Sequence, residues 1–204
     1  MDIENRIIST IEKGKNNVVK ITTTKTKGLF HKKISNEICG SGFFVKKNYI
    51  LTNYHVIEKL NIIQVELIDG SIYPAKIVFE DKYYDICVLK VNYEKNSLLK
   101  LSSKNLKEGN IVISIGMPFG LDFSSTIGII SSLDHSLKNE YGNIISEVIQ
   151  VDNTINPGNS GGPLLNTMGD IIGMNTLSIY DSNKISFALK IDFIKEIIEG
   201  KIKE

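Results

Sequence analysis

A glycine-rich segment around one serine is the part of the sequence best suited to chemistry. It reads Asn156-Pro157-Gly158-Asn159-Ser160-Gly161-Gly162-Pro163, so that glycines stand at positions −2, +1 and +2 from Ser160. A nucleophilic hydroxyl needs an open, tight turn that a substrate backbone can approach closely, and glycine permits such a turn. The backbone N–H groups of Gly158 and Ser160 are placed to donate to the oxygen of a reacting carbonyl. Since an ordinary glycine-rich turn between strands has the same composition, this segment alone leaves both interpretations open.

Two further polar residues stand beside apolar, strand-like segments. His55 follows the segment Ile50–Thr52, and Asp85 opens the segment Ile86–Val91. Histidine is the natural general base near neutral pH, and a carboxylate beside a buried strand needs a partner such as an imidazole N–H. Taken singly, a lone histidine is better explained as a surface or satisfied core residue, and a turn aspartate before a strand is common. His31 and His135 have no comparable context and are given no role.

The combination of the three residue types is more specific than any one of them. A serine nucleophile, a histidine base and an orienting aspartate form a hydrolytic triad. They occur in the order His55, Asp85, Ser160, with separations of 30 and 75 residues. The first two lie among an early set of strand-like segments and the third among a later set. The sequence therefore predicts a site in a cleft between two units.

Short apolar segments separated by turn signals must position these residues. Asp69–Gly70 is a strong hairpin signal, and Gly169–Asp170 marks another tight turn. Short strands at this spacing predict an all-β fold with two barrels. The predicted strands are Val18–Thr24, Gly42–Val45, Tyr49–Thr52, Ile62–Leu67, Ile72–Phe79 and Ile86–Val91, then Ile111–Ile115, Ser125–Ser132, Ile144–Val151, Pro163–Leu165, Ile171–Thr176 and Ile185–Leu189.

Short helices are expected at both ends of a single domain that covers residues 1–204. Isoleucines at helical spacing predict an N-terminal helix that ends at Gly14 and the Asn16–Asn17 pair. Asp192 is expected to cap a last helix over Phe193–Ile198. We place the N-terminal barrel at about 18–105, the C-terminal barrel at about 106–190 and the C-terminal helix at 191–204. The basic stretch Lys25–Lys33 is expected to be an exposed loop.

Composition excludes several other classes of protein. The chain has 24 basic and 23 acidic residues, which gives no reason to expect a nucleic-acid or membrane partner. There is no apolar run of 18 residues, so no transmembrane helix is expected. The N-terminus lacks the apolar core of a secretory signal, which predicts a cytoplasmic location, or a secreted or periplasmic one if a leader has been removed.

Cys39 and Cys87 lack metal-ligand spacing and are expected to be buried; no metal or cofactor is expected.

The sequence resembles the trypsin-like serine proteases, and most of all their HtrA-type branch. The resemblance runs from about residue 40 to about residue 190, and its motifs occur in the family's order and spacing. It implies two six-stranded antiparallel β-barrels with the triad between them. The matching stretches are Gly40-Ser41-Gly42-Phe43-Phe44-Val45, Leu51-Thr52-Asn53-Tyr54-His55-Val56, Asp85-Ile86-Cys87-Val88-Leu89, Ile115-Gly116-Met117-Pro118-Phe119-Gly120, Gly128-Ile129-Ile130-Ser131, Gln150-Val151-Asp152-Asn153-Thr154-Ile155-Asn156, Gly158-Asn159-Ser160-Gly161-Gly162-Pro163 and Gly173-Met174-Asn175-Thr176.

The resemblance also implies a role for each site residue. Ser160 is similar to the nucleophile, His55 to the general base and acid, and Asp85 to the residue that orients the imidazole. Gly158 and Ser160 resemble the oxyanion-hole donors. The substrate pocket is expected at Thr154, six residues before the serine, and at Thr176, where the family often places a hydroxyl that supports the aspartate.

Some features depart from the family pattern. Val56 stands where secreted digestive relatives carry a cysteine, which agrees with a reducing compartment. The chain has no Ile-Val-Gly-Gly activation sequence, and it stops after one C-terminal helix, so we expect no PDZ domain and leave the oligomeric state open. Thr154 stands where trypsin-type enzymes have an aspartate, which predicts a small or aliphatic residue at P1.

The expected function is that of a serine endopeptidase acting on a protein or peptide substrate through an acyl-enzyme intermediate. The alternative is a latent or inactive protease-fold protein that acts as a regulated effector or binding module. A latent enzyme would have an oxyanion turn that orders only with a substrate or a regulatory protein partner.

Overall fold

Two closed β-barrels form most of the structure, a computed structural model that describes residues 2–26, 34–58, 62–117, 123–139, 141–156, 158–178 and 185–202. The strands of the first barrel are β1 (Val18–Thr26), β2 (Ile34–Lys46), β3 (Tyr49–Thr52), β4 (Ile63–Glu66), β5 (Ile72–Asp81) and β6 (Ile86–Val91). Those of the second are β7 (Ile111–Gly116), β8 (Ser124–Ser132), β11 (Val148–Val151), β12 (Pro163–Asn166), β13 (Ile171–Ser178) and β14 (Ser186–Lys190). A two-stranded sheet, β9 (Leu137–Lys138) with β10 (Ile144–Ile145), lies outside the barrels.

The strand order confirms the predicted fold of two six-stranded antiparallel barrels. The first barrel closes in the order β1-β2-β3-β6-β5-β4 and the second in the order β11-β14-β13-β12-β7-β8. All strand pairs inside the barrels are antiparallel. The predicted barrel boundary at residues 105 and 106 falls within the segment 92–110 that connects β6 to β7.

Strands that are buried on both faces explain how the two barrels meet. Alternate residues fill each interior, as in β4, where Ile63 and Val65 are buried. Along β6 the residues Ile86 to Leu89 are all fully buried, because one set points into the first barrel and the other away from it. The outward set joins a single buried cluster with side chains of β7 and β12 from the second barrel. We call this shared contact between the barrels the junction, and both β3 and β6 contribute side chains to it.

The N-terminal helix α1 (Ile3–Asn17) corrects one prediction. The helix ends at the predicted Asn16–Asn17 pair, but Gly14 does not end it and lies inside the helix. A Cβ at Gly14 would collide with the Cδ1 atom of Ile115. Glycine therefore stands there because the helix backbone packs directly on the second barrel, and its low helix propensity does not stop the helix.

The C-terminal helix α3 (Ile191–Ile198) corrects a second prediction. It begins two residues earlier than expected, and its N-cap residue is Lys190, without a side-chain cap. The Asp192 carboxylate instead accepts hydrogen bonds from the backbone N–H of Ser103 at 3.0 Å and from its hydroxyl at 3.1 Å. These bonds tie the segment between the barrels to the last helix. Partial burial raises the pKa of Asp192, but the hydrogen bond from Lys195 and the two from Ser103 together outweigh it, so the pKa lies below its usual value.

Other differences concern short elements. The helical turn α2 (Tyr54–Ile57) was not predicted, and the predicted strand Ile144–Val151 is divided into β10 and β11. Of the expected basic loop, Lys25 and Thr26 belong to β1 and residues 27–33, with His31, lie outside the described residues. None of the helices in the described part of the chain has the length and apolar character needed to cross a membrane.

Candidate active site

His55 and Asp85 are brought together by the pairing of β3 with β6. Thr52 pairs with Cys87, so that α2, which follows β3, lies beside the turn that precedes β6. The Nδ1 atom of His55 lies 2.8 Å from Oδ2 of Asp85, and the backbone N–H of His55 donates to Oδ1 at 2.9 Å. Both carboxylate oxygens thus contact the same residue, which fixes the position of the ring as well as its direction.

The backbone of Asp85 has an unusual conformation that its neighbours stabilise. Its φ angle is +58°, in the left-handed region that aspartate tolerates better than most residues. Its carbonyl oxygen accepts hydrogen bonds from the backbone N–H of Tyr54 at 3.2 Å and from the side-chain amide of Asn53 at 3.0 Å. Asp85 is only 4% exposed, so a carboxylate at this position needs the bonds it receives.

Thr176 contacts the same aspartate from the second barrel. Its hydroxyl donates to Oδ2 of Asp85 at 3.2 Å and accepts a bond from the side-chain amide of Asn53, also at 3.2 Å. Thr176 belongs to β13 and is buried. The aspartate is therefore held by residues of both barrels, and the Thr176 hydroxyl is directed at the carboxylate.

Ser160 lies where the two barrels meet. Its carbonyl oxygen accepts a hydrogen bond from the backbone N–H of Ser41 on β2 at 2.9 Å, and the next N–H, of Gly161, donates to the carbonyl of Asn175 on β13, also at 2.9 Å. The Ser160 Oγ atom lies 3.5 Å from the carbonyl oxygen of Thr176, the residue that also holds Asp85. The structure thus attaches all three candidate residues to one corner of the junction.

The glycines around Ser160 meet distinct steric needs. Gly161 has a φ angle of +80°, and a Cβ there would collide with the carbonyl oxygen of Ser41 and the hydroxyl of Thr52. Gly158 has a φ angle of +103°. The carbonyl of Asn159 accepts a bond from the N–H of Gly162 at 3.0 Å, and since the two ends of a trans peptide point in opposite directions, the N–H of Ser160 points away from Gly162.

The predicted pocket residue Thr154 is exposed, and the hydroxyl bonded to it is neutral. Its carbonyl accepts a hydrogen bond from the hydroxyl of Thr126 at 3.0 Å. The buried side-chain amide of Asn153 donates to Thr126 at 3.2 Å and to Ser114 at 2.7 Å. Asp152, two positions from Thr154, directs its carboxylate at the backbone N–H of Ile129, at 2.7 Å.

Sequence reasoning gave no role to Asn53 or Ser41, although both stand in segments that it singled out. The available signal was a polar residue directly beside a predicted strand, because such a residue needs a partner where it is buried. Both are fully buried and bonded to the residues around the site.

Cys87, the cysteine of β6, lies in the core of the first barrel. Burial, with the carboxylates of Glu80 and Asp85, raises the pKa of the Cys87 thiol to about 12, so this cysteine is a protonated core residue at neutral pH. Cys39 belongs to β2, and its side chain lies outside the described residues. His135 is exposed. Within the described ranges, no three His, Cys, Asp or Glu side chains are grouped so as to hold a metal ion.

Comparison with known proteins adds the family context. The profile of the trypsin-like peptidase domain matches residues 40–174. A protein named Protease Do-like 1, chloroplastic, from Arabidopsis thaliana is 40% identical over 173 residues, covering 80% of this chain and 39% of that protein. A probable periplasmic serine endoprotease, DegP-like, from Pseudomonas fluorescens is 43% identical over 164 residues, covering 78% of this chain and 34% of that protein.

Solved structures agree with these sequence matches. The structure described as HtrA-type protease AlgW with decapeptide superposes with a TM-score of 0.83 at 28% identity, covering 98% of this chain and 67% of that one. A serine endoprotease from Yersinia pestis superposes with a TM-score of 0.77 at 30% identity, covering 99% of this chain and 67% of that one. The chain spans only 39% and 34% of the length of the two curated relatives named above.

Proposed function

Since the chain belongs to the trypsin-like peptidases, in their HtrA-type branch, we propose that it is a serine endopeptidase with Ser160, His55 and Asp85 as its catalytic triad. The observation that carries the proposal is the contact of both Asp85 carboxylate oxygens with His55, at 2.8 and 2.9 Å, beside a serine on a glycine-rich turn. The similar AlgW structure was solved with a decapeptide, which supports a peptide substrate.

The contact between His55 and Asp85 determines which nitrogen acts as the base. A carboxylate only accepts hydrogen bonds, so Nδ1 of His55 carries the proton and Nε2 is left with its lone pair. Nε2 takes the Ser160 proton as Oγ attacks the scissile carbonyl, and it returns the proton to the leaving amine. The nearby carboxylate stabilises the imidazolium that forms in between. Water activated by the same nitrogen then hydrolyses the acyl-enzyme.

Two backbone N–H groups, of Gly158 and Ser160, stabilise the negative oxygen of the tetrahedral intermediate. This role is supported by the positive φ angle of Gly158 and by the carbonyl bonds that hold Asn159. Donors of this kind typically contribute about 10²- to 10³-fold each to turnover. They cost no reorganisation when they are fixed before the substrate binds.

The preferred P1 residue is small or aliphatic. Thr154 and its bonded neighbours Thr126 and Asn153 are uncharged, and Asp152 is occupied by the backbone of β8. Among the described residues around Thr154, an arginine or lysine side chain at P1 would therefore lose water without gaining a carboxylate partner.

The cytoplasmic location expected from the N-terminal sequence stays a prediction; the names of two relatives place those proteins in the periplasm and the chloroplast.

Cleavage of unfolded casein and of a peptide panel with varied P1 residues tests the proposal. We expect cleavage after valine and alanine, and little after arginine or lysine. Ser160→Ala and His55→Ala should each lower kcat on the order of 10⁴-fold or more while the protein stays folded. Strong preference for arginine would contradict the P1 assignment. Absence of cleavage by the folded wild type would instead favour the latent or inactive alternative.

A further inference from the structure

The hydroxyl of Ser41 connects the first barrel to the turn that carries Ser160. Ser41 is 0% exposed, and its Oγ atom donates to the carbonyl of Gly158 at 2.6 Å. The same oxygen accepts the backbone N–H of Met117, at the end of β7, at 3.1 Å. Because an N–H group can only donate, the single hydroxyl proton is directed at the Gly158 carbonyl. The distance of 2.6 Å is at the short end for such bonds.

This bond holds one of the two ends of the peptide unit between Gly158 and Asn159. The other end, the N–H of Asn159, donates to the carbonyl of Asn156 at 2.9 Å. A peptide unit is planar, so bonds at both ends fix its rotation relative to the residues on either side. The constraint matters here because glycine at position 158 has more conformations available than any other residue.

Ser41 also reaches the turn through its backbone. Its N–H donates to the carbonyl of Ser160 at 2.9 Å, while its own carbonyl accepts the hydroxyl of Thr52 at 2.7 Å. One residue of β2 is therefore bonded to Gly158 by its side chain and to Ser160 by its main chain. These are the two residues whose N–H groups the proposed mechanism uses.

We propose that Ser41 is a positioning residue that keeps the N–H groups of Gly158 and Ser160 aimed at the oxyanion, an inference that rests on the endopeptidase function proposed above. Since the oxyanion exists only in the tetrahedral intermediate and its transition states, loss of this alignment lowers kcat and leaves substrate binding nearly unchanged. Affinity for a peptide boronate, which forms a tetrahedral adduct with the serine, falls in parallel with kcat.

Ser41→Ala, Ser41→Cys and Thr10→Val form a matched set of variants. Cysteine is somewhat larger than serine, leaves no empty space and has a much weaker donor, so it covers the case in which the alanine variant folds poorly because of a cavity. Thr10 is a control because it is 3% exposed and its hydroxyl donates to the carbonyl of Thr167 at 3.4 Å, on the face where α1 packs and away from residues 158–160. It measures the cost of losing a buried hydroxyl.

The experiment measures kcat, KM, boronate affinity and the melting temperature for each variant, together with the ¹⁵N amide resonances of residues 158–160. In both Ser41 variants we expect kcat to fall about tenfold or more with KM within about twofold, and in Thr10→Val both constants within about twofold of wild type. The amide resonances should shift or broaden only in the Ser41 variants. Equal kcat values in Ser41→Ala and Thr10→Val overturn the inference.

The two proposals fail in different ways. If the folded wild type does not cleave peptides, the proposed function fails, and the amide resonances still decide the role of Ser41. Resonances of Gly158, Asn159 and Ser160 that are the same in Ser41→Ala as in wild type would show that the hydroxyl does not hold the turn.

Discussion

At the scale of single residues, the aspartate of the first barrel depends on a hydroxyl from the second. The hydroxyl of Thr176, in the second barrel, donates a hydrogen bond to Asp85 at 3.2 Å. Asn53 donates to the same hydroxyl and so directs its proton at the carboxylate. A buried carboxylate is stable in its charged form only when such donors surround it. The position of the His55 ring therefore depends on both barrels.

Replacing Thr176 with valine tests this dependence, because valine has the same shape and lacks the hydroxyl. We expect the free energy of unfolding to fall by about 1–3 kcal/mol, the usual cost of leaving a buried charged group short of one bond. The value of kcat/KM should fall roughly tenfold, because the aspartate that orients the base is less firmly held. Chemical denaturation and peptide hydrolysis measure the two quantities.

Thr10→Val is the matched control for that variant. Thr10 is 3% exposed and donates to the carbonyl of Thr167 at 3.4 Å, on the face of the molecule where α1 packs. Its loss should change stability without changing kcat/KM. If the two valine variants have the same kcat/KM, Thr176 is only a structural residue.

Sequence patterns supplied the candidate residues of the site but not the hydrogen bonds that hold them. The order of His55, Asp85 and Ser160 and the surrounding glycines are local patterns, and the structure brings these residues to one junction. The bonds of Ser41 and Asn53 join residues 117 and 32 positions apart. Such partners depend on how the barrels close, which no local pattern contains.

At the scale of elements, α1 packs closely on the second barrel because Gly14 has no side chain. In an exposed helix, changing glycine to alanine stabilises the protein by up to about 1 kcal/mol. At Gly14 the added methyl group would collide with Ile115. The fit between helix and barrel therefore outweighs the propensity of the residue.

Gly14→Ala should accordingly destabilise the protein by roughly 1–3 kcal/mol, the usual cost of overpacking. Thermal and denaturant unfolding measure the change. The exposed Lys13→Ala on the same helix is the control and should be nearly neutral or slightly stabilising. An increase in stability for Gly14→Ala would show that α1 moves away from the barrel easily.

Elements that sequence reasoning missed are short or depend on tertiary contacts. The turn α2 has four residues, too few for a helical period to appear in the sequence. The strands β9 and β10 have two residues each. Asp192 was expected to cap α3 because aspartate favours such positions. Its carboxylate instead accepts hydrogen bonds from Ser103, 89 residues away, which no local pattern indicates.

At the scale of the whole molecule, the site belongs to neither barrel alone. The first barrel supplies His55, Asp85 and Ser41, and the second supplies Ser160 and Thr176. Alternating apolar segments and turn signals were enough to predict two barrels, because each strand carries its own pattern. The strand order and the shared cluster of buried side chains between the barrels were not predictable, since they arise from contacts among distant strands.

Reaction with a fluorophosphonate is the sharpest test of Ser160 as a nucleophile, because this reagent forms a stable bond with a serine only where a base and an oxyanion hole activate it. Wild type, Ser160→Ala and His55→Ala are treated in parallel, and the adduct is located by mass spectrometry of peptides. We expect one adduct on Ser160 in wild type and none in either variant. A folded wild type that forms no adduct, or one that forms it at another residue, would contradict the assignment of Ser160 as an activated nucleophile.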